Sequence, residues 1–195
     1  MSTPARTRMS RESRLAQLMT TAWAIVRNEG SDALTLGHLA ERAGVTKPVV
    51  YDHFGTRAGL LAALFRDFDA RQDALMDAAL DASPVTLEDR AQAMATAYVD
   101  CVLAQGREIP GVVAALEGSP ELEQIMRTFR AMFLEKCRAL FVPFAPSNAI
   151  AAPALWSMMG AAQLLSYAAA KGDVTRGEAI AELARAIRAM TRTEG

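Results

Sequence analysis

The chain has 195 residues, 51% of them hydrophobic, with 21 Lys or Arg against 22 Asp or Glu and a formal net charge of −1. That composition is globular, soluble and long enough to bury a core without disulfides or metals, and 12 Gly with 8 Pro exclude collagen-like or low-complexity sequence. Residues 1–60 nevertheless hold eight Lys or Arg against five Asp or Glu, together with both histidines, His38 and His53, so a basic head precedes an acidic remainder able to meet a polyanion only through that head.

In chain order, the apolar spacing predicts helices almost throughout. Ser10 caps a first helix with apolar positions Leu15, Leu18, Met19, Ala22, Ile25 and Val26, stopped by Gly30, with Arg11, Arg14 and Arg27 on the other face. A short second helix follows Thr35, with Leu36, Leu39, Ala40 and Ala43 on one side, and ends at Gly44. The third starts after Thr46, accommodates Pro48 in its first turn and stops before Gly55. Thr56 caps a fourth, running to about Ala82 with the stripe Leu60, Leu61, Leu64, Phe65, Phe68, Leu75 and Met76. Longer helices are predicted at Leu87 to Ala104, Pro110 to Glu117, Glu121 to Val142, Asn148 to Ala170 and Arg176 to Arg192. No stretch alternates with period two, so strands are not expected.

The run Thr35 to Phe54, TLGHLAERAGVTKPVVYDHF, has the form of a helix-turn-helix, the unit that lays its second helix in a DNA major groove. Val50 and Phe54, four apart, anchor the third helix and leave Lys47, Pro48, Val49, Tyr51, Asp52 and His53 on the remaining surface. Lys47 at the helix start suits a phosphate, and Tyr51 and His53 suit backbone oxygens. Base reading falls to Thr46, Pro48 and Val49 through thymine methyls, and to Asp52 through a cytosine amino group.

Helix one ending in NEG, followed by TLGHLAERAGVTKPVVYDHFGTRAGLL, resembles the DNA-binding head of the tetracycline-repressor-like (TetR) transcriptional regulators over about residues 12–72. The resemblance implies an all-α protein, with a helix-turn-helix head at 12–72 and a helical ligand-binding and dimerisation body at 73–195. It implies that Thr35, Thr46, Lys47, Tyr51 and His53 touch the DNA backbone while Pro48 and Val49 approach bases. The chain departs from many relatives in reading Arg57-Ala58-Gly59 where they carry Lys-Glu-Glu or similar. Gly59 is expected to weaken the first turn of helix four by roughly 1 kcal/mol and loosen the hinge, and Arg57 to keep a positive charge there.

From Ala139 to Ala170 there is no charge. The stretch is alanine-rich and interrupted by Pro153, Ser157, Gly160, Gln163 and Ser166, so it reads as a buried helix rather than a membrane span. Its small residues, with the stripe Ile180, Leu183, Ala184, Ile187, Met190 and Thr191 on the last helix, fit either the core of one protomer or the four-helix interface of a homodimer that the resemblance implies. Met94, Tyr98, Cys101, Phe129, Met132 and Phe133, with Trp156, Met159 and Gln163, are the candidate lining of an adaptable pocket for a small hydrophobic effector.

Catalysis has little support. The body has no histidine and the chain neither GxSxG nor a phosphate-cradling glycine loop, while Glu117, Glu121 and Glu123 lie at a helix break. Cys101 and Cys137 have apolar neighbours and no metal-ligand spacing. No catalytic residue, metal or cofactor is expected, and the absence of an apolar export segment in Met1 to Ser10 suggests a cytoplasmic protein. The expected function is that of a ligand-responsive, homodimeric repressor released from a double-stranded DNA operator. The alternative is a coactivator of the same fold working through protein partners, favoured by Asp52 on the DNA-facing helix.

Overall fold

Helix starts fall on residues whose side chains satisfy open backbone N–H groups: the hydroxyls of Ser10, Thr35, Thr56 and Thr175 accept from Ser13, His38, Gly59 and Glu178, the last as a reciprocal capping box. The computed structural model describes residues 9–105, Val112, Ala115 and 120–192. Its helices are α1 (Arg11–Glu29), α2 (Leu36–Ala43), α3 (Lys47–Phe54), α4 (Arg57–Asp81), α5 (Leu87–Gln105), α6 (Pro120–Phe141), α7 (Ala152–Lys171) and α8 (Arg176–Met190), with 3-10 turns at Ser31–Ala33 and Val142–Phe144. The fold is all-α, and no strand occurs among the described residues. The helix expected at Pro110 to Glu117 lies outside them except for Val112 and Ala115, both helical.

One boundary differs from expectation. The helix predicted from Asn148 begins at Ala152, because Pro153 would otherwise sit in a helix interior, where its missing N–H and its ring break the ladder. Starting at Ala152 places Pro153 in the first turn, where no internal bond is lost.

Apolar burial divides into two clusters that share α4. The first joins α1, α2, α3 and the front of α4, from Leu18 to Phe68, with Cys101, Val112 and Met126. The second gathers Met76 and Leu80 with buried residues of α5, α6, α7 and α8. Along α4 the buried row is Leu61, Phe65, Phe68, Gln72, Met76 and Leu80, in steps of four and three. Leu75, expected in this stripe, falls off that row and is 53% exposed, and the polar Gln72 takes the inward place. Leu15, in the second turn of α1, also stays exposed. Trp23 is buried instead, its indole N–H donating to Asp67 of α4 at 2.7 Å, with Arg71 bonded to the same carboxylate and lying over the ring.

The stripe expected on the last helix, Ile180, Leu183, Ala184, Ile187, Met190 and Thr191, is buried within the protomer. Of the two readings left open for α8, core completion therefore accounts for its apolar face. On α7 the opposite face, with Trp156, Leu164 and Tyr167, stays exposed. No described helix is long and apolar enough to cross a membrane.

The joint between α3 and α4 overturns the expectation for Gly59. A Cβ there would stand 2.1 Å from the Phe54 carbonyl oxygen, so glycine is what lets the start of α4 meet the end of α3. The Thr56 N–H donates to that same carbonyl at 2.7 Å, and the Thr56 hydroxyl accepts from the Gly59 N–H at 3.0 Å. Arg57 is no loose cation: it donates to the carbonyls of Leu34 at 2.9 Å and Ser31 at 2.8 Å. The joint is a weld rather than a loose hinge. Gly59→Ala, which helix propensity alone would make stabilising, is expected to lower stability by about 1–3 kcal/mol through overpacking against backbone, read as a lower urea midpoint with unchanged slope. An unchanged or raised midpoint would contradict the close approach.

Candidate nucleic-acid interface and interior site

The turn between α2 and α3 follows from Gly44. At φ 65° and ψ 34° it takes the left-handed conformation that ends α2, while Val45 N–H donates back to Ala40 O at 3.0 Å. Gln17 of α1 donates to the Ala43 carbonyl at 3.1 Å and locks this corner to the first helix. With the turn fixed, Val50 and Phe54 point into the core as the sequence predicted.

The other side of α3 faces outward. Thr35, Thr46, Lys47, Pro48, Tyr51 and Asp52 are exposed, Tyr51 by 53%, while Val49 and His53 are half-buried. The Thr46 hydroxyl makes no capping bond to α3 and stays available, unlike the Thr35 hydroxyl, which accepts from the His38 N–H at 3.1 Å. Lys47 has no ion-pair partner among the described residues. Its Cε lies 3.7 Å from the place a Cβ of Gly37 would occupy, so the side chain runs across the start of α2. The other head histidine, His38, is held by Glu29 at 2.8 Å, and Glu29 also lies 3.6 Å from Arg42. The expected contact set Thr35, Thr46, Lys47, Pro48, Val49, Tyr51 and His53 therefore lies on α3 and the residues preceding α2 and α3, with a lysine at the edge.

The expected effector lining separates into two groups. Met94, Cys101 and Met159 are buried, Tyr98 lies tilted against Phe133 at 5.8 Å, and Phe129 meets Phe65 edge-on at 5.1 Å. Met132 (60% exposed), Trp156 (54% exposed) and Gln163 instead face outward. Among the described side chains of α6, Met126, Leu134, Cys137 and Phe141 are buried, which leaves Met132 on the far side. On α7 they are Leu155, Met158, Met159, Ala162 and Ser166, and Trp156 and Gln163, seven apart, share the face opposite.

Residues 18–64 match the domain described as bacterial regulatory proteins, tetR family. The head is thus a tetR-family domain. A 63-residue stretch is 40% identical to the HTH-type transcriptional activator FasR of Mycolicibacterium smegmatis, covering 32% of this chain and 29% of that protein. The fold is shared along nearly the whole length with a TetR-family transcriptional regulator from Streptomyces coelicolor, at TM-score 0.72 and 19% identity over 93% of this chain and 95% of that one. It is shared equally with the fatty acid degradation regulator FadR from Bacillus halodurans, at TM-score 0.73 and 14% identity over 89% and 94%.

Behind this head, two polar residues on the inward side of α4 escaped the sequence reading. Gln72 is 8% exposed, its side-chain amide set against the Tyr98 phenol. Asp69, one turn earlier, is half-buried; burial first, then the Asp73 charge, pushes its carboxyl up to about 6 against the pull of Lys136. Burial likewise raises the Tyr98 phenol to about 12 and the Cys137 thiol to about 12, and raises the Cys101 thiol, which keeps both cysteines unreactive. The helical row through Leu61 and Phe65 was the available signal for Gln72.

For Asp69 the folded carboxyl holds its proton more tightly than the unfolded one, so its contribution to stability falls as pH rises from about 4 to about 6 and stays lost above. Asp69→Asn is expected to be the more stable protein at pH 7, by about 1 kcal/mol after allowing for solvent screening, with the advantage shrinking toward pH 4. Urea melts of both proteins across that window check it. An advantage that grows on acidification would contradict the environment assigned to Asp69.

Proposed function

We propose that the chain is a homodimeric repressor whose heads, residues 12–72, hold a double-stranded operator, and whose bodies, residues 73–195, release it when a small hydrophobic effector binds. The observation that carries this reading is the outward face of α3, where Lys47, Pro48 and Tyr51 are exposed while Val50 and Phe54 of the same helix are buried. Thr35, Thr46, Lys47, Tyr51 and His53 are assigned to phosphate contacts, and Pro48 and Val49 to base edges. Trp156, Leu164 and Tyr167 on one face of α7 support the dimer, since three large exposed apolar side chains on a helix otherwise built into the core form a surface suited to a partner. A dimer sets two α3 helices on half-sites one DNA turn apart. The methionines and aromatic rings of α5 and α6 support the effector, and release requires that it bind one conformer better than the other.

Gel-shift titration on the DNA upstream of its own transcription unit tests the head. Lys47→Ala is expected to weaken binding to all sequences alike and reduce the salt slope by about one, and the double change Lys47→Ala with Tyr51→Ala to abolish specific binding. Equal binding by wild type and the double variant would overturn the assignment, and absence of any salt-sensitive DNA affinity would favour the coactivator alternative that the exposed Asp52 suggests. The dimer has its own measurement. Leu164→Glu is expected to change the sedimentation mass from twice the 21.0 kDa chain to once. A wild-type protein that sediments as a single chain would remove the paired-head arrangement.

A further inference from the structure

Each end of α2 has a cation beside it, and the phosphate contacts assigned above use only the first. At the start of α2 stand Thr35 and Lys47, whose side chain runs past Gly37. At the other end the Gln17 amide donates to the Ala43 carbonyl at 3.1 Å, and its oxygen accepts from the Arg14 guanidinium at 2.5 Å. That two-step chain sets Arg14 of α1 beside the last residue of α2, on the approach to Thr46. A neutral amide holds the guanidinium without cancelling its charge, and Arg14 has no carboxylate partner among the described residues. Glu12, two positions before it, lies on another side of the helix. Other arginines of the head are placed differently. Arg42 is paired with Glu29, Arg57 is spent on the Ser31 and Leu34 carbonyls, and Arg71 is bonded to Asp67. Arg11 and Arg66 make no hydrogen bond or ion pair among the described residues that would aim them. With 8 residues, α2 sets its two ends about 12 Å apart. The major groove of B-DNA is about 12 Å wide, so cations at both ends stand one groove width from each other.

We propose that Arg14 is a second phosphate anchor of the head, its guanidinium binding the DNA backbone on the groove edge opposite the one held by Thr35 and Lys47. The inference rests on the DNA reading above and adds to it a contact from α1, outside the helix-turn-helix. A guanidinium suits the place because its fork keeps the Gln17 oxygen on one nitrogen and presents the others to a phosphate. Gln17 is then a positioning residue. It ties the anchor to the corner that sets the first turn of α3, so grip on the backbone and seating of α3 belong to one rigid unit.

Phosphate-ethylation interference on a duplex selected by the full chain from a random pool tests it, together with the salt dependence of binding. Wild type is expected to show two groups of sensitive phosphates in each half-site, one on each edge of the groove. Arg14→Ala is expected to remove one group, the one that Lys47→Ala leaves intact. Each single change is expected to lower the salt slope by a similar amount, and the double change by their sum. Arg14→Lys is expected to restore the slope lost in Arg14→Ala, a rescue that a packing defect would not permit. A wild-type slope and pattern in Arg14→Ala, loss of the same phosphates as in Lys47→Ala, or no rescue by Arg14→Lys would overturn the proposal. The two readings fail separately. Arg14→Ala without effect, beside a Lys47→Ala that lowers the slope, would remove the α1 anchor and keep DNA binding by α3. No duplex retained from the pool, or slopes unmoved by every variant, would remove the DNA reading and the anchor with it.

Discussion

The contact between Gly59 and the Phe54 carbonyl is the constraint on which the rest of the molecule depends. A backbone oxygen standing 2.1 Å from where a Cβ would be leaves no choice of residue, and it fixes α3 directly against the first turn of α4. Arg57 then secures that turn to the Ser31–Leu34 corner, and the Trp23 indole holds α4 to α1 through Asp67. The exposed face of α3 inherits its direction from these bonds. Without them Lys47 and Tyr51 would be polar residues on a short mobile helix; with them they are a surface of defined orientation.

The helix that fixes α3 is also the one that carries the polar seam. Its front half belongs to the first apolar cluster and its back half to the second, and Asp69 and Gln72 lie where one gives way to the other. α4 therefore connects the packing of the body to the direction of the exposed face of α3. The same stretch is where apolar packing is interrupted.

Much of this was legible in the sequence because it is encoded locally. Hydroxyl residues followed by apolar spacing marked the helix starts, and Gly44 before Val45-Thr46-Lys47 marked the turn, so the head and the inward places of Val50 and Phe54 follow from short-range rules. What stayed hidden depends on contacts between distant segments. Gly59 reads as a weak helix residue until Phe54 is seen beside it, and Arg57 as a surface charge until the Leu34 carbonyl is in reach. Met132, Trp156 and Gln163 have the composition of a pocket lining, yet helical register turns them outward, and only register, not hydrophobicity, separates Trp156 from its buried neighbour Leu155. Gln72 was concealed by its polarity, although the three-and-four spacing through Phe65 and Phe68 runs straight to it.

The most direct test of the account is a hydroxyl-radical footprint on DNA selected by the full chain from a random pool. Paired recognition helices predict two protected patches on one face of the duplex, with centres one helical turn, about 34–36 Å, or a multiple of it apart, and sequence preference confined to those patches. A single patch, or uniform protection with no selected sequence, would contradict the claim that the outward face of α3 reads DNA as one of a pair.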